Sequence, residues 1–296
     1  MTDWQQTFID QHDLPHDYRL TAEIWFVPVL DRVLQARPAG RPLMVGIQGC
    51  QGSGKSTLAA WMQAALHARG LRVAVMSLDD FYLSRKARRA LAERIHPLLQ
   101  TRGVPGTHDT HLLADVLGRL RSGDCPVTLP RFDKATDNPR PEHDWPVLKE
   151  PADVVILEGW CWGIPPEPEA GLTDPVNALE VQEDPDGRWR QWVNARLASD
   201  YAPLYALMDK LWVLRAPGFG CVARWRTEQE SRLRETLLAR GESVSGVMTP
   251  EQIERFVAHY ERLTRHGLKV LPDMADVVWQ LDDARRIVRL QTRDSV

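Results

Sequence analysis

The sequence predicts an α/β fold with a mainly parallel central sheet and helices on both faces. Short apolar runs recur along the 296-residue chain, near residues 43–47, 72–77, 153–157, 211–214 and 277–281. Such runs are typical of strands that are buried on both faces of a parallel sheet. Amphipathic helical segments alternate with them, as in repeated βαβ units. The chain length fits one enlarged domain.

The first 40 residues are predicted to form an N-terminal helical extension. Residues 21–36 carry apolar side chains at helical spacing, and Pro28 is expected to bend or interrupt that helix. Residues 41–296 then form the main domain. Irregular insertions are expected near 133–151 and 164–187, where proline and charged residues are concentrated, and we expect the second to lie on the surface.

The helices of the main domain are predicted from apolar residues at intervals of three and four. They fall after the first strand, around residues 112–120, from about residue 221 to 240, and after Thr249. The last helix has the clearest start, because Thr249 is placed as N-cap, Pro250 at the first helical position and Gln252 where it closes a capping box.

Composition excludes some classes of function. The formal net charge is only -3, so no overall charge favours nucleic acid or an anionic membrane as a partner. No apolar stretch approaches the roughly 18 residues of a membrane span, and the N-terminus does not resemble a secretion signal. We therefore expect a soluble, cytoplasmic protein. The four cysteines form no C-x-x-C pair, so neither a zinc site nor a disulfide framework is indicated.

A phosphate-binding loop follows the first strand. The pattern G-x-x-x-x-G-K-S (Walker A) lets backbone N–H groups and a helix N-terminus surround phosphate oxygens. Lys55 would contact the β- and γ-phosphates of ATP, and Ser56 would contact the bridging Mg²⁺. This motif predicts a P-loop NTPase-type three-layer fold, with nucleotide contacts from Gly49, Cys50, Gln51, Gly52, Ser53, Gly54, Lys55, Ser56 and Thr57. Cys50 is interpreted as a small residue that fits the loop.

Acidic residues follow two further strands. Asp79 and Asp80 end the second strand, which we expect beside the strand that carries the phosphate loop. A carboxylate at that edge of the sheet could accept the proton of an acceptor hydroxyl, and Asp79 is the candidate, although either residue could merely cap the next segment. Glu158 ends the third strand in the context of a Walker B carboxylate that serves Mg²⁺, with a plain strand-end acid as the alternative.

Taken together, these motifs resemble the superfamily of phosphoribulokinase, uridine kinase and pantothenate kinase. Within it the chain resembles the D-glycerate 3-kinase family, from about Pro42 to Leu281. The segments that carry this resemblance are GIQGCQGSGKSTL, SLDDFYL, TRGVPGTHD, LPRFDKATD, LEGWCWG and FGCVARWRTEQE.

The resemblance implies an acceptor pocket and a lid. It makes Arg131 and Lys134 the leading candidates for binding a substrate carboxylate, with Arg102 and His108 behind them. From the residues alone, the segment with Arg102 and His108 is equally a turn with a helix cap at Thr107 or Asp109. The segment with Arg131 and Lys134 is equally a solvated run of charges. In related kinases a lid arginine covers the nucleotide, and Arg224 and Arg226 match that placement. The alternative is that these arginines lie on a solvent-facing helix and pair with Glu228 and Glu230.

The motifs therefore predict an ATP- and Mg²⁺-dependent transferase that phosphorylates a small molecule, and the resemblance implies the hydroxy acid D-glycerate as acceptor and 3-phosphoglycerate as product. The residues themselves leave open which hydroxyl is phosphorylated. The expected catalytic residues are Lys55, Asp79 and Glu158. A kinase of the same fold acting on pantothenate, a nucleoside or a sugar phosphate stays open, as does a nucleotide-dependent regulatory ATPase. We expect neither nucleic acid nor membrane as a partner, and the oligomeric state stays open.

Overall fold

The computed structural model describes residues 4–35, 37–244 and 246–293. The helices in this part of the chain are α1 (Trp4–Gln11), α2 (Tyr18–Trp25), α3 (Val27–Gln35), α4 (Lys55–His67), α5 (Arg85–Arg94), α6 (Thr110–Ser122), α7 (Ala178–Glu183), α8 (Arg188–Arg196), α9 (Ala202–Tyr205), α10 (Gly220–Ala239) and α11 (Pro250–Val270). The strands are β1 (Leu43–Gly49), β2 (Val73–Ser77), β3 (Val127–Thr128), β4 (Phe132–Asp133), β5 (Asn138–Pro139), β6 (Val147–Leu148), β7 (Val154–Gly159), β8 (Lys210–Arg215), β9 (Val277–Leu281) and β10 (Ile287–Thr292).

The central sheet has six strands in the order β10-β9-β8-β1-β7-β2. Strands β9, β8, β1, β7 and β2 are parallel, and only β10 at the edge is antiparallel. The predicted α/β fold with a mainly parallel sheet and helices on both faces is thus confirmed.

The predicted position of the second strand is wrong. We expected β2 beside β1, but β7 lies between them and pairs with both, through Leu157 to Gly46 and to Met76. The crossover from β1 through α4 to β2 skips one position in the sheet, and β7 later fills it. Because of this order, Glu158 at the end of β7 lies between the phosphate loop and the residues that follow β2.

The core lies on both faces of this sheet. Along β1, Met44 faces one hydrophobic cluster, whereas Val45 and Ile47 belong to the cluster on the opposite face. The N-terminal helices complete the second cluster, where the Phe26 ring lies 5.3 Å from that of Trp61 on α4. Burial of these aromatic rings stabilises the attachment of the N-terminal helices to the main domain.

The predicted interruption of the N-terminal helix is confirmed, with a shift of two residues. The break falls at Phe26, between α2 and α3, and Pro28 occupies the second position of α3. Proline is tolerated in the first turn of a helix because no intrahelical partner awaits its missing N–H there. Ala36, the end of the predicted segment, lies outside the described residues.

The predicted capping box is present: the Thr249 hydroxyl accepts from the Gln252 amide, and the Gln252 side chain accepts from the Thr249 amide. The expectation for residues 164–187 needs correction, because this segment is not only a surface insertion. It contains α7, on which Glu180 is fully buried and bound to Arg262 of α11 at 2.7 Å.

The predicted insertion near residues 133–151 contains short antiparallel pairs. One pair joins β4 to β5 and the other joins β3 to β6. We call residues 131–140, which contain β4 and β5, the acceptor-side hairpin. In the described residues no helix has the length and apolar character that crossing a bilayer requires.

Candidate active site

The phosphate loop connects β1 to α4, and α4 begins at Lys55. Gly52 and Gly54 have φ angles of 77° and 90°, which favour glycine over residues with a side chain. A Cβ on Gly52 would lie 2.7 Å from the Cβ of Trp225 on α10, whereas a Cβ on Gly54 would meet nothing within 4 Å. Gly52 therefore packs against α10, and Gly54 faces open space in front of the helix N-terminus.

Two side chains in the loop have polar atoms without a partner. Gln51 Oε1 and Ser53 Oγ are buried and make no hydrogen bond within the described residues. Buried polar atoms are normally hydrogen-bonded, so unpaired ones in this loop are consistent with a site for a polar ligand. Cys50 in the same loop is buried, and this burial raises the pKa of its thiol to about 12.

Ser56 and Glu158 meet as the Walker A and Walker B motifs predict. Ser56 Oγ donates to Glu158 Oε1 at 2.8 Å, and Lys55 Nζ lies 3.8 Å from Glu158 Oε2. Glu158 Oε2 is buried and has no hydrogen-bond partner in the described parts of the chain. A hydroxyl beside a carboxylate with a free oxygen suits Mg²⁺, which is bound by few protein oxygens together with water and substrate phosphates. The described residues contain no cluster of three or more His, Cys, Asp or Glu that would hold a metal by itself.

Asp79 lies opposite the loop and is held from two sides. The Tyr82 hydroxyl donates to Oδ1 at 2.8 Å, and Lys134 Nζ lies 2.7 Å from Oδ2. Burial would raise the pKa of Asp79, but the charges of Lys134 and Lys55 and these two hydrogen bonds outweigh it and lower the pKa to about 2. Asp79 is therefore an ionised acceptor with a defined orientation.

Asp80 has a different environment. Its carboxylate accepts from the Phe132 amide at 3.2 Å and lies 3.5 Å from Arg131. Burial raises the pKa of Asp80, with Arg131 and the Phe132 amide opposing that effect. Asp80 thus anchors the acceptor-side hairpin, a structural role that differs from the local cap considered in the sequence analysis.

A cavity of about 230 Å³ joins the loop to Asp79. Its walls combine loop residues, carboxylates, cations and aromatic rings, namely Gln51, Gly52, Lys55, Ser56, Ser77, Asp79, Tyr82, Arg102, Lys134, Glu158, Trp160, Arg226, Gln229, Phe256 and Tyr260. The loop residues and the Asp79 carboxylate thus line one open cavity. We call it the transfer cavity.

The structure divides the four predicted acceptor residues. Arg102 and Lys134 line the transfer cavity. Arg131 does not line it, because its guanidinium is bound to Asp80 and to the carbonyl oxygen of Pro130. His108 does not line it either: it is buried with its ring stacked on Tyr82.

The prediction of His108 as a cationic ligand needs correction. Its Nδ1 lies 2.6 Å from the Tyr201 hydroxyl, and its Nε2 is buried without a partner among the described residues. Burial lowers the pKa of His108 to about 3, although the charge of Asp79 opposes the change. The ring is therefore neutral near pH 7 and supplies no positive charge. Asp109, one of the two predicted caps, does cap α6 through the Leu112 amide.

Asp137 is a residue that the sequence analysis missed. It lies in the acceptor-side hairpin, with a positive φ of 57° that Asp tolerates in turns. Its two carboxylate oxygens bind Arg88 and Arg102, and the Arg88 side chain is only 1% exposed. Asp137 therefore fixes both the hairpin that carries Lys134 and the guanidinium of Arg102. The adjacent Asp-Asn pair in the sequence marks a turn, but only the fold reveals its partners.

The backbone beside Arg102 is positioned by aromatic residues. The Tyr260 hydroxyl donates to the Arg102 carbonyl oxygen at 2.9 Å, and Trp160 Nε1 donates to that of Gly103 at the same distance. Gly103 has φ of 133°, and a Cβ there would lie 2.1 Å from the Tyr260 hydroxyl oxygen. Tyr260 lies on α11, and the sequence analysis did not assign it to the site.

The two predicted lid arginines also differ. Arg226 lines the transfer cavity, with its guanidinium 5.3 Å from the Phe256 ring centre and an ion pair to Glu230. Its Nε is buried and has no hydrogen-bond partner within the described ranges. Arg224 instead binds Asp283 at 2.6 Å, outside the cavity, and half of its side chain is exposed. Only Arg226 therefore meets the geometric requirement for a group that acts on the phosphates.

Similarity to known proteins agrees with this geometry. A family model described as methylmalonyl Co-A mutase-associated GTPase MeaB matches residues 22–83, which include the phosphate loop but end before β7. The uncharacterized kinase mug58 of Schizosaccharomyces pombe is 35% identical over 251 residues, covering 78% of this chain and 85% of that protein.

Two relatives are named as D-glycerate 3-kinases. The chloroplastic D-glycerate 3-kinase of Arabidopsis thaliana is 28% identical over 74% of this chain, which spans 46% of the length of that protein. The solved structure of D-glycerate 3-kinase from Cryptococcus neoformans superposes with a TM-score of 0.71 at 26% identity, covering 94% of this chain and all of the other. The extent of the match to mug58, together with these two relatives, shows that the chain belongs to the D-glycerate 3-kinase family of P-loop kinases.

Proposed function

We propose that this kinase transfers the γ-phosphoryl group of ATP to the 3-hydroxyl of D-glycerate, giving 3-phosphoglycerate and ADP. The observation that carries the proposal is the transfer cavity, in which the phosphate loop and Asp79 face the two cations Arg102 and Lys134. The named activity of the Arabidopsis and Cryptococcus relatives supports the same acceptor.

The carboxylate of the acceptor would bind Lys134 and Arg102. Lys134 is held by Asp79, but its side chain is 62% exposed, so turning it toward a second carboxylate costs little. Arg102 is held by Asp137 through one nitrogen, and its guanidinium has further N–H donors. Both cations can therefore serve an incoming carboxylate while the hairpin stays anchored.

Asp79 would orient the acceptor hydroxyl and receive its proton. The hydroxyl oxygen attacks the γ-phosphorus, the bond from that phosphorus to the β,γ-bridging oxygen breaks, and the hydroxyl proton passes to Asp79. A carboxylate with a pKa of about 2 is a weak base, but the loose transition state of phosphoryl transfer needs little deprotonation of the nucleophile before attack. Orientation by Asp79 is consequently its larger contribution.

The remaining charged residues would stabilise the phosphates. Lys55 and the N–H groups of the loop hold the β- and γ-phosphates, and Arg226 approaches from α10. Ser56 and Glu158 would hold Mg²⁺, which would neutralise part of the charge on the phosphates. Each of these side chains lines the same cavity.

The size and polarity of the cavity favour a small acid over a longer acceptor. The space is about 230 Å³, and its acceptor side presents Asp79, Arg102 and Lys134 rather than an extended apolar surface. Pantothenate carries a longer chain whose apolar part would lie against these charges. A nucleoside carries no carboxylate that these two cations could bind.

The test is ADP release from MgATP with a panel of acceptors: D-glycerate, L-glycerate, glycolate, D-lactate, pantothenate and uridine. We expect strong stimulation by D-glycerate only. The product is checked by proton-coupled phosphorus NMR, in which a phosphate on the CH₂ carbon gives a triplet and one on the CH carbon gives a doublet. Stimulation by another acceptor alone would refute D-glycerate as the substrate. Slow ATP hydrolysis that no acceptor stimulates would favour a regulatory ATPase.

A further inference from the structure

A second cavity of about 470 Å³ lies on the other side of the phosphate loop. It shares Gly52 and Gln229 with the transfer cavity, so the two spaces meet at the loop. Its volume lies in the range of about 300–1,000 Å³ that is typical of small-molecule sites. We call it the outer cleft.

The orientation of a bound nucleotide follows from the position of Asp79 and Glu158, which lie on one side of the phosphate loop. Asp79 and Glu158 line the transfer cavity, whereas Ser53, Gly54 and Thr57 of the loop and its helix line the outer cleft. The γ-phosphoryl group must lie on the side of Asp79, where the acceptor is. A phosphate chain that crosses the loop therefore directs the ribose and the base into the outer cleft.

One wall of the outer cleft comes from the N-terminal helical extension. Leu14, Tyr18 and Thr21 line it, and each is partly exposed. The Tyr18 ring lies 6.1 Å from that of Phe26 and 6.3 Å from that of Phe8, both of which are buried. Tyr18 is thus an aromatic side chain supported by two buried rings, and a planar nucleobase can stack on such a side chain.

Another part of the lining carries cations from the turn between β9 and β10. Arg285 and Arg286 line the outer cleft together with Glu228 of α10. The Arg285 guanidinium lies 5.3 Å from the centre of the Trp225 ring and is ion-paired with Glu228. Arg286 is paired with Asp282 and its side chain is 79% exposed. A cleft that is lined by an aromatic ring and by arginines suits a nucleoside with an attached phosphate chain.

We propose that the N-terminal extension is part of the nucleotide site, with Leu14, Tyr18 and Thr21 holding the base and ribose of ATP against the arginines of the β9–β10 turn. The proposal rests on nucleotide binding at the phosphate loop and not on the identity of the acceptor. Truncating the extension would not test it, because Phe8 and Phe26 belong to the core and the shortened chain would lose that packing.

The experiment compares two ligands by calorimetry without any acceptor: MgADP, which has a base, and magnesium tripolyphosphate, which has none. We expect Tyr18→Ala to weaken MgADP binding about 10- to 100-fold, as loss of one aromatic stacking partner does for nucleobases. Tripolyphosphate should bind within two-fold of the wild type. Tyr18→Phe, which keeps the ring, should bind both ligands normally.

A second variant keeps the test valid if Tyr18→Ala is unstable. Thr21→Trp adds a ring to a partly exposed position and should obstruct the cleft for MgADP while tripolyphosphate still binds. Ile24→Ser is the matched control, because Ile24 is on the same helix, half exposed and outside the cleft. Normal MgADP binding by folded Tyr18→Ala and Thr21→Trp would overturn the proposal, as would an equal loss of both ligands, which would indicate a change in the loop itself.

Discussion

Replacing Asp79 by Asn should separate nucleotide binding from turnover. The variant keeps the size of the side chain and its hydrogen bond with Tyr82, but it removes the charge that faces the acceptor hydroxyl and Lys134. Loss of a positioned base lowers kcat by about 10²–10⁴-fold, or about 3–5.5 kcal/mol of transition-state free energy. MgADP affinity should stay close to that of the wild type, because the phosphate loop is unchanged.

The same substitution should lower the free energy of unfolding by a limited amount. The pKa of Asp79 is lowered from 3.8 to about 2 in the folded protein, so its ionised form stabilises the fold above pH 4, and that stabilisation disappears as pH falls through 2. The difference corresponds to about 2 kcal/mol, which the Asn variant lacks at neutral pH. Lys134, which loses its partner, is mostly exposed and adds little to this cost.

The assay couples ADP release to NADH oxidation at saturating D-glycerate, with MgADP affinity and urea denaturation measured on the same preparation. Asp80→Asn is the control, since the Asp80 carboxylate contacts Phe132 and Arg131 and does not line the transfer cavity. Its kcat should fall far less. A folded Asp79→Asn variant with turnover within ten-fold of the wild type would remove Asp79 from the proposed role.

Three further predictions concern the groups around this carboxylate. Lys134→Met should raise the pKa of Asp79, because burial is then less opposed, so the acidic limb of kcat/KM for the acceptor should move upward from below pH 4. Asp137→Asn should lower the free energy of unfolding by about 3 kcal/mol in urea titrations, because buried Arg88 loses its carboxylate, and should raise KM for the acceptor. Arg226→Ala should lower kcat at least about ten-fold in the coupled assay, since this cation lines the transfer cavity.

Each of these has a contradicting result. A pH profile of Lys134→Met that matches the wild type would show that Lys134 does not control the charge of Asp79. An unchanged KM for the acceptor in Asp137→Asn would show that the anchoring of the hairpin by Asp137 does not affect acceptor binding. For the lid, Arg224→Ala is the matched control, because Arg224 pairs with Asp283 outside the cavity, and an equal loss of kcat in both arginine variants would refute the distinction.

Local signals in the sequence predict the phosphate loop, because its motif lies between a strand and a helix that are adjacent in the chain. Ser56 and Glu158 come into contact because β1, which precedes the loop, pairs with β7, which ends in Glu158 and Gly159. Strand order is a different matter. Nothing near β2 in the sequence reveals that β7 will pair between it and β1, because that position is decided by pairing of β7 with segments about 80 and about 110 residues earlier in the chain.

The acceptor end depends on partners that lie far apart in the sequence, and the predictions there are mixed. Arg131 and Lys134 look alike in the sequence, but Asp80 holds the first outside the cavity and Asp79 holds the second inside it. His108 is a plausible cation until its burial is known, since full desolvation makes the neutral ring the stable form. Asp137 becomes visible only through Arg88 and Arg102.

The contact between Gly52 and Trp225 links the two halves of the catalytic apparatus. Gly52 must lack a side chain for the loop to form, and the space so left is filled by the helix that presents Arg226 one residue later. Any displacement of the loop at Gly52 would therefore also press on the first turns of α10 and on Arg226, which follows Trp225 directly.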